Sequence, residues 1–339
     1  MSQQYAKDQP QGFKNYVENI AIVGAGGRVG AFVAHELLKT KKHKVTALSR
    51  PESTSKLPAD ILVKHISYDD PSSLVDALRG QDALIITMSV MAPPDQEAKL
   101  IQAAADAGVP WVMPNEWGLD PSMKDLAKES LIGEPREKAR NLITSLGKSS
   151  FISLVVGFWY EFSLGGLKYR YGFDIPGREV TFYDDGNTKI NTSTWQQCGR
   201  AAAAVFSLKV LPEDEADKAP TLSQFKNGFV YVSSFLVSQR DMFASVLRVT
   251  GTSEKDWTIK YQDVEERYKE GVEEMKAGDV FKGFTKLLYA RDFYPDGCGN
   301  YEARKGLHND LLGLPKEDLD ECTKVAVVIA ENGEEAGRL

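Results

Sequence analysis

Three observations predict an α/β chain built on a doubly wound parallel sheet with a smaller α+β portion towards the C-terminus. Apolar strand-type runs alternate with helical periods through the first 160 residues. A glycine-rich turn joins the first run to the first helix, and the second half of the chain is less regular.

The first run, IAIV at 20–23, is continuous and apolar, as a strand covered on both faces must be. It feeds directly into Gly24, Gly26, Gly27 and Gly30, after which Val29, Val33 and Leu37 recur at helical spacing. KVTALSR (44–50) and ILVKHISY (61–68) follow as strands, then a short helix in DPSSLVDALRG and the strand DALIITMS (82–89). QEAKLIQAAADAG (96–108) reads as a helix stopped by its glycine, and WVMPNEWG (111–118) as one fifth strand. A longer helix through EPREKARNLITSLG leads to a sixth strand, FISLVVGF (151–158). Beyond it, TFYDD (181–185) and NGFVYVSS (227–234) are further strands, and Val264, Tyr268, Val272 and Met275 line one face of a charged helix at 263–277 that covers a cleft or lies solvated on the surface. These readings divide the chain into a dinucleotide-binding domain at 17–160 with return segments around 180–248, a substrate-side portion at 161–179 and 249–330, and polar tails at 1–16 and 331–339.

Composition removes several function classes. With 339 residues and a net charge of −7, the chain has ample core but no clustered cationic surface of the kind nucleic acid requires. The lysines of KTKKHK suit a solvated helix end facing its negative dipole. Cys198, Cys298 and Cys322 are odd in number and far apart, so neither a disulfide framework nor a zinc site is expected. His35, His43, His65 and His308 have no metal-ligand spacing, and no serine sits in a nucleophile elbow. No apolar stretch is long enough to span a bilayer, and the first nineteen residues lack a signal-type apolar region. The expectation is a cytoplasmic protein with a small-molecule substrate and no metal, nucleic-acid or membrane partner.

The glycine turn is the strongest chemical signal. A pyrophosphate approaches the backbone closely only where side chains are missing, and a helix N-terminus offers amide donors and a favourable dipole. The backbone of Gly24, Gly26, Gly27, Arg28, Val29 and Gly30 is therefore expected to hold a dinucleotide, which makes the sheet a Rossmann fold. At the end of the second strand an acidic residue would accept from a free ribose 2′-hydroxyl, but the chain has Ser49 and Arg50 there. A guanidinium binds a 2′-phosphate that a carboxylate would repel, so NADP(H) is expected over NAD. Arg28 and Lys56 are candidates for adding charge to that pocket. Asp69 either passes the adenine or caps the following helix. Met88 and Ser89 end the fourth strand beside the middle of the cofactor, and Pro114, Asn115, Glu116 and Trp117 fall near its nicotinamide end, because ligands bind outside the carboxyl ends of the strands.

The GAGGRVG turn, SRPESTSK, YDDPSSLVDALRGQDALIIT, AAADAGVPWVMPNEWG and VVGFWYEF together resemble the NmrA-like and isoflavone-reductase-like group of atypical short-chain dehydrogenases/reductases, from about residue 18 to 162. PNEWG stands where that group commonly has Pro-Ser-Glu-Phe-Gly. The resemblance implies NADPH on a Rossmann domain and a smaller portion closing over the substrate. It also implies one of two activities: reduction of aromatic or enone-like molecules, or redox-responsive regulation without turnover.

The catalytic group is less well marked. The helix expected to carry the Tyr/Lys pair of ordinary short-chain dehydrogenases has no tyrosine, and the YxxxK match at Tyr301 and Lys305 lies far past the sixth strand. The resembled reductases place a lysine on the helix after the fifth strand; counting back from Arg140, that position falls on Arg136, with Lys138 two residues on and on another helical face. Lys138 is the candidate general acid, against a plain surface reading. Phe158, Trp159 and Tyr160 follow the sixth strand, where Phe158 is expected to border the cofactor and the Tyr160 hydroxyl to donate a proton, unless both are core packing between the lobes. The expected function is an NADPH-dependent reductase of a small aromatic or conjugated carbonyl-type substrate; the alternative is a non-catalytic NADP(H)-sensing protein with a regulatory protein partner.

Overall fold

The computed structural model describes residues 3–90, 92–166 and 168–333. Its strands are β1 (Asn19–Val23), β2 (Lys44–Ser49), β3 (Leu62–His65), β4 (Ala83–Ile86), β5 (Trp111–Met113), β6 (Trp117–Gly118) and β7 (Ser150–Val155), followed by β8 (Phe158–Trp159), β9 (Phe173–Asp174), β10 (Glu179–Tyr183), β11 (Lys189–Ser193), β12 (Gly228–Tyr231), β13 (Phe235–Ser238) and β14 (Thr258–Gln262). The α-helices are α1 (Arg28–Lys39), α2 (Pro71–Leu78), α3 (Gln96–Ala107), α4 (Lys124–Glu129), α5 (Gly133–Leu146), α6 (Tyr160–Leu164), α7 (Trp195–Phe206), α8 (Gln239–Thr250), α9 (Val264–Lys276), α10 (Val280–Asp292), α11 (Tyr301–Lys305) and α12 (Leu319–Asn332).

The main sheet is parallel throughout, in the order β12-β7-β5-β4-β1-β2-β3, with β6 also pairing β7. The period-two alternation of side chains divides each strand between two cores. Ile20, Ile22, Val45, Ala47, Ile85 and Met113 face α1 and α7, whereas Ala21, Val23, Leu48, Leu84, Ile86 and Val112 face α2, α3 and α5. Asp70 starts α2 by accepting the Ser72 N–H at 3.0 Å, with Pro71 at the first helical position where its missing donor costs nothing.

The second lobe has its own core around Tyr160, Tyr171, Phe173, Phe182, Phe243 and Phe293. Two three-stranded sheets, β14-β10-β9 and β13-β11-β8, support it. Helices α9 and α10 cross so closely that a Cβ on Gly283 would lie 2.4 Å from the Gly271 carbonyl oxygen.

Several expected boundaries move. The fifth strand is two pieces, because Pro114 has no N–H to give the ladder and pairing resumes only at Trp117. Of the return segments, α7 and β12 do pack on the main sheet, but β10 and α8 belong to the second lobe. Residues of the N-terminal stretch are bonded to the fold: the Ala6 N–H donates to Pro212 O at 2.8 Å and the Leu211 N–H to Asn15 Oδ1 at 2.7 Å. Helix α12 takes in Glu331 and Asn332, and residues 334–339 of the expected C-terminal tail lie outside the described residues. Among the described residues no helix is long and apolar enough to cross a membrane, and no group of His, Cys, Asp or Glu is arranged to hold a metal.

Candidate functional site

The sheet order reverses between β4 and β2 on either side of β1, so the crevice at the carboxyl ends of β1 and β4 is the topological switch point. Gly24 leaves β1 with φ of +83°, and a Cβ there would stand 2.3 Å from Thr87 O, just past β4. A Cβ at Gly30 would stand 2.1 Å from Gly24 O. Both glycines therefore let the turn pack against its own chain. Gly27 meets only Gly24 O at 3.0 Å and Thr87 O at 3.9 Å, so its outer side is the open one. It also begins α1 without any side-chain cap, which leaves the first-turn N–H groups of Val29 and Gly30 for an outside acceptor. A bare backbone cradle with uncapped amides fits a diphosphate. Gly26 has a different neighbour: its Cβ would lie 2.7 Å from both Lys56 O and Ser55 Cβ, so the segment after β2 lies across the turn.

At the end of β2 stands Arg50, its side chain 57% exposed and 3.3 Å from the still more exposed Glu52. Exposed pairs of this kind contribute about 0–1 kcal/mol, so Glu52 does little to hold the guanidinium in place. Burial pushes the nearby Tyr68 hydroxyl up, and the Arg50 charge opposes that shift. The Lys56 and Asp69 side chains are exposed; Asp69 does not cap α2, a task that falls to Asp70.

On the other side of the crevice a polar frame holds the strand ends. Asn115 donates from Nδ2 to Met88 O at 3.0 Å and from its N–H to Glu97 Oε1 at 2.8 Å, and Trp117 Nε1 donates to Ile86 O at 2.8 Å. The Asn115 amide is thus committed to joining the ends of β4 and β5. Met88 is half-buried beside it, and Ser89 is exposed at the rim. Glu116, 2% exposed, accepts from Arg140 and from Ser153 Oγ at 2.9 Å. Burial raises the pKa of Glu97. Arg136, half-buried on α5, sets its Nη2 3.3 Å from where a Cβ of Gly118 would be. Burial lowers its pKa while Glu116 and Glu97 oppose the fall, and an arginine stays charged at neutral pH in any case.

The catalytic expectations need correction. Lys138 is 73% exposed and pairs with Glu134 at 2.6 Å along the outer face of α5, because two residues further along a helix is about 200° around it. Tyr160 is fully buried in the second lobe, its hydroxyl 2.7 Å from Thr323 Oγ1, and burial drives its pKa well up. Phe158 stacks on Tyr289 with centroids 4.0 Å apart inside the same core. The aromatic run after β7 serves packing because β8 pairs with β11 and carries the chain straight into the second lobe.

At the lobe junction Arg28 is joined by residues that the sequence did not single out. The Arg28 and Arg170 guanidinium carbons lie 4.9 and 3.6 Å from the centre of the Phe162 ring, which links the start of α1 to the second lobe. Glu161, 5% exposed, accepts the Trp195 N–H at 2.7 Å at the start of α7, and burial raises its pKa to about 8. Glu97, Arg136 and Arg140 sit on amphipathic helices, where charged residues ordinarily face solvent. Their advance signs are the closeness of PNEWG to the carboxyl edge and, for Arg136, the resemblance, which puts the lysine position of the reductases there.

Residues 17–164 match the NmrA-like family. An Aspergillus flavus protein named Oxidoreductase aprR is 25% identical over 308 residues, covering 89% of this chain and 96% of the relative. The fold is similar to AtPrR2 with NADP+ and (+)pinoresinol, with a TM-score of 0.72 and 19% identity over 93% of this chain and all of that one. It is also similar to the NADPH-dependent quinone oxidoreductase QOR2 of Escherichia coli complexed with NADPH, with a TM-score of 0.65 and 21% identity over 90% of this chain and 98% of that one.

Proposed function

We propose that this chain, whose residues 17–164 match the NmrA-like family, is an NADPH-dependent reductase of a small aromatic or conjugated carbonyl-type substrate. The observation that carries the reading is the uncapped start of α1 behind the open face of Gly27, with Arg50 where a carboxylate would select NAD. The name of the Aspergillus relative and the coenzymes named for the two structures support it. The first-turn amides of α1 would hold the diphosphate and Arg50 the 2′-phosphate. Bound there, the reduced coenzyme supplies a hydride. The Asn115, Glu116 and Trp117 frame fixes the strand ends on which a substrate rests, and Arg136 gives that side a positive charge.

The test is a calorimetric titration with NADPH and NADH, repeated on Arg50→Glu, beside a screen of NADPH oxidation with aromatic enones, quinones and ketones. Tighter binding of NADPH, lost in the variant by tenfold or more, is the expected result; an unchanged affinity overturns the coenzyme assignment. A second reading, a non-catalytic NADP(H)-sensing protein with a regulatory partner, is favoured by one observation: Lys138 and Tyr160 both lie away from the crevice. NADPH binding with no oxidation across the whole screen would select it.

A further inference from the structure

We propose that Arg136 is the binding group for a carboxylate carried by the substrate, so that the crevice takes an anionic conjugated acid and not only a neutral carbonyl compound. The inference deepens the proposed function and rests on it.

Among the described residues Arg136 forms no hydrogen bond, ion pair or ring contact, although it is half-buried. None of its nitrogens is among the sealed polar atoms left without partners, so the guanidinium is open to a ligand. Its neighbours are otherwise engaged. Arg140 and Ser153 occupy Glu116, and the backbone N–H of Asn115 occupies Glu97. Arg136 therefore carries the cation of this cluster that no described anion neutralises by contact. Gly118 makes the room for it, since any side chain there would press on Nη2.

The place excludes the phosphates of the coenzyme as its partners. Gly118 belongs to β6 beside β7, two strands beyond β4 in the order β7-β5-β4-β1-β2. At roughly 4.8 Å per strand, the diphosphate turn after β1 is on the order of 10 to 15 Å away, and Arg50 after β2 is farther still. A planar guanidinium that presents parallel N–H donors is matched by a carboxylate.

The experiment has two separate stages. NADP+ is first titrated into wild-type protein and into Arg136→Gln, Arg136→Lys and Gly118→Ala; binding within threefold of wild type is expected for all. The NADP+-saturated proteins are then titrated with trans-cinnamate and with trans-cinnamamide, which differ in charge but hardly in shape. Wild type is expected to bind cinnamate at least tenfold more tightly than cinnamamide. Arg136→Gln should lose that preference while its cinnamamide affinity stays within twofold, Arg136→Lys should keep part of it, and Gly118→Ala should weaken cinnamate with the arginine still present. Absent cinnamate binding, no preference in wild type, or a preference retained by Arg136→Gln overturns the carboxylate role and leaves the coenzyme reading standing. Loss of NADP+ binding in Arg136→Gln alone makes it a coenzyme contact and also overturns the role. Failure of wild type to bind NADP+ overturns the coenzyme reading, and the inference with it.

Discussion

Thr87 Oγ1 donates to the carbonyl oxygen of Val23 at 2.8 Å, pinning the end of β4 to the end of β1 directly beneath Gly24. Thr87→Val keeps the shape and removes this donor, while the Thr87 N–H still reaches the same oxygen at 3.0 Å. A loss of about 1 kcal/mol in urea unfolding is expected, with weaker NADPH binding because the turn loosens. A stability equal to wild type with unchanged affinity contradicts it.

Gly30→Ala drives a methyl group into Gly24 O and Thr87 Oγ1, at 2.1 and 2.4 Å. Neither belongs to a flexible chain end, so the turn itself must move. Overpacking of this kind costs about 1–3 kcal/mol. NADPH affinity should fall at least tenfold in a variant that still gives a cooperative melt, and normal affinity would show that the turn does not hold the coenzyme.

Lys138→Ala removes only an exposed pair with Glu134 on the outside of α5. Such a pair is worth about 0.3–0.5 kcal/mol. With any substrate that the oxidation screen identifies, kcat/KM should stay within twofold of wild type. A fall of a hundredfold would restore Lys138 as the proton donor.

Arg140→Ala strands the Glu116 carboxylate, only 1% exposed, with Ser153 as its remaining side-chain partner. Breaking a buried pair from one side costs about 3–5 kcal/mol. The denaturation midpoint should drop accordingly, and the double variant Arg140→Ala with Glu116→Gln should recover part of the loss. A double variant no better than the single one removes the stranded charge as the cause.

Glu161 gives stability a pH dependence of definite sign. Its folded pKa of about 8 lies above the ordinary value of 4.5, so its contribution is fully present below 4.5 and is lost as pH rises to about 8. The largest possible swing is of order 5 kcal/mol. Asp292, raised to about 7, acts in the same direction, so only the difference between wild type and Glu161→Gln isolates Glu161. Urea midpoints at pH 5 and pH 8.5 should fall further in wild type than in the variant; equal falls contradict the assignment.

What was legible in the sequence followed from periodicity and from glycine. The alternation of Ile20, Ala21, Ile22 and Val23 between two cores, the helix after Gly27 and the six-strand scaffold needed only local pattern. The break at Pro114 was legible in principle, since proline cannot donate to a ladder. The site chemistry was not, because it depends on which way a helix is rolled. Arg136 and Lys138 lie two residues apart on α5, yet one reaches Gly118 and the other meets solvent. Tyr160 was misplaced because nothing local distinguishes an aromatic that borders a crevice from one sealed against Thr323, a partner 163 residues away.

The pairing of β12 with β7, and the packing of α7 over α1 through Trp195 and Phe32, have a consequence for how this molecule melts and is cut. A fragment ending near residue 164 would bare a hydrogen-bonding edge and strip the cover from the helix behind the glycine turn. The nucleotide half is therefore not autonomous. Heat or protease should take both halves down in one cooperative event.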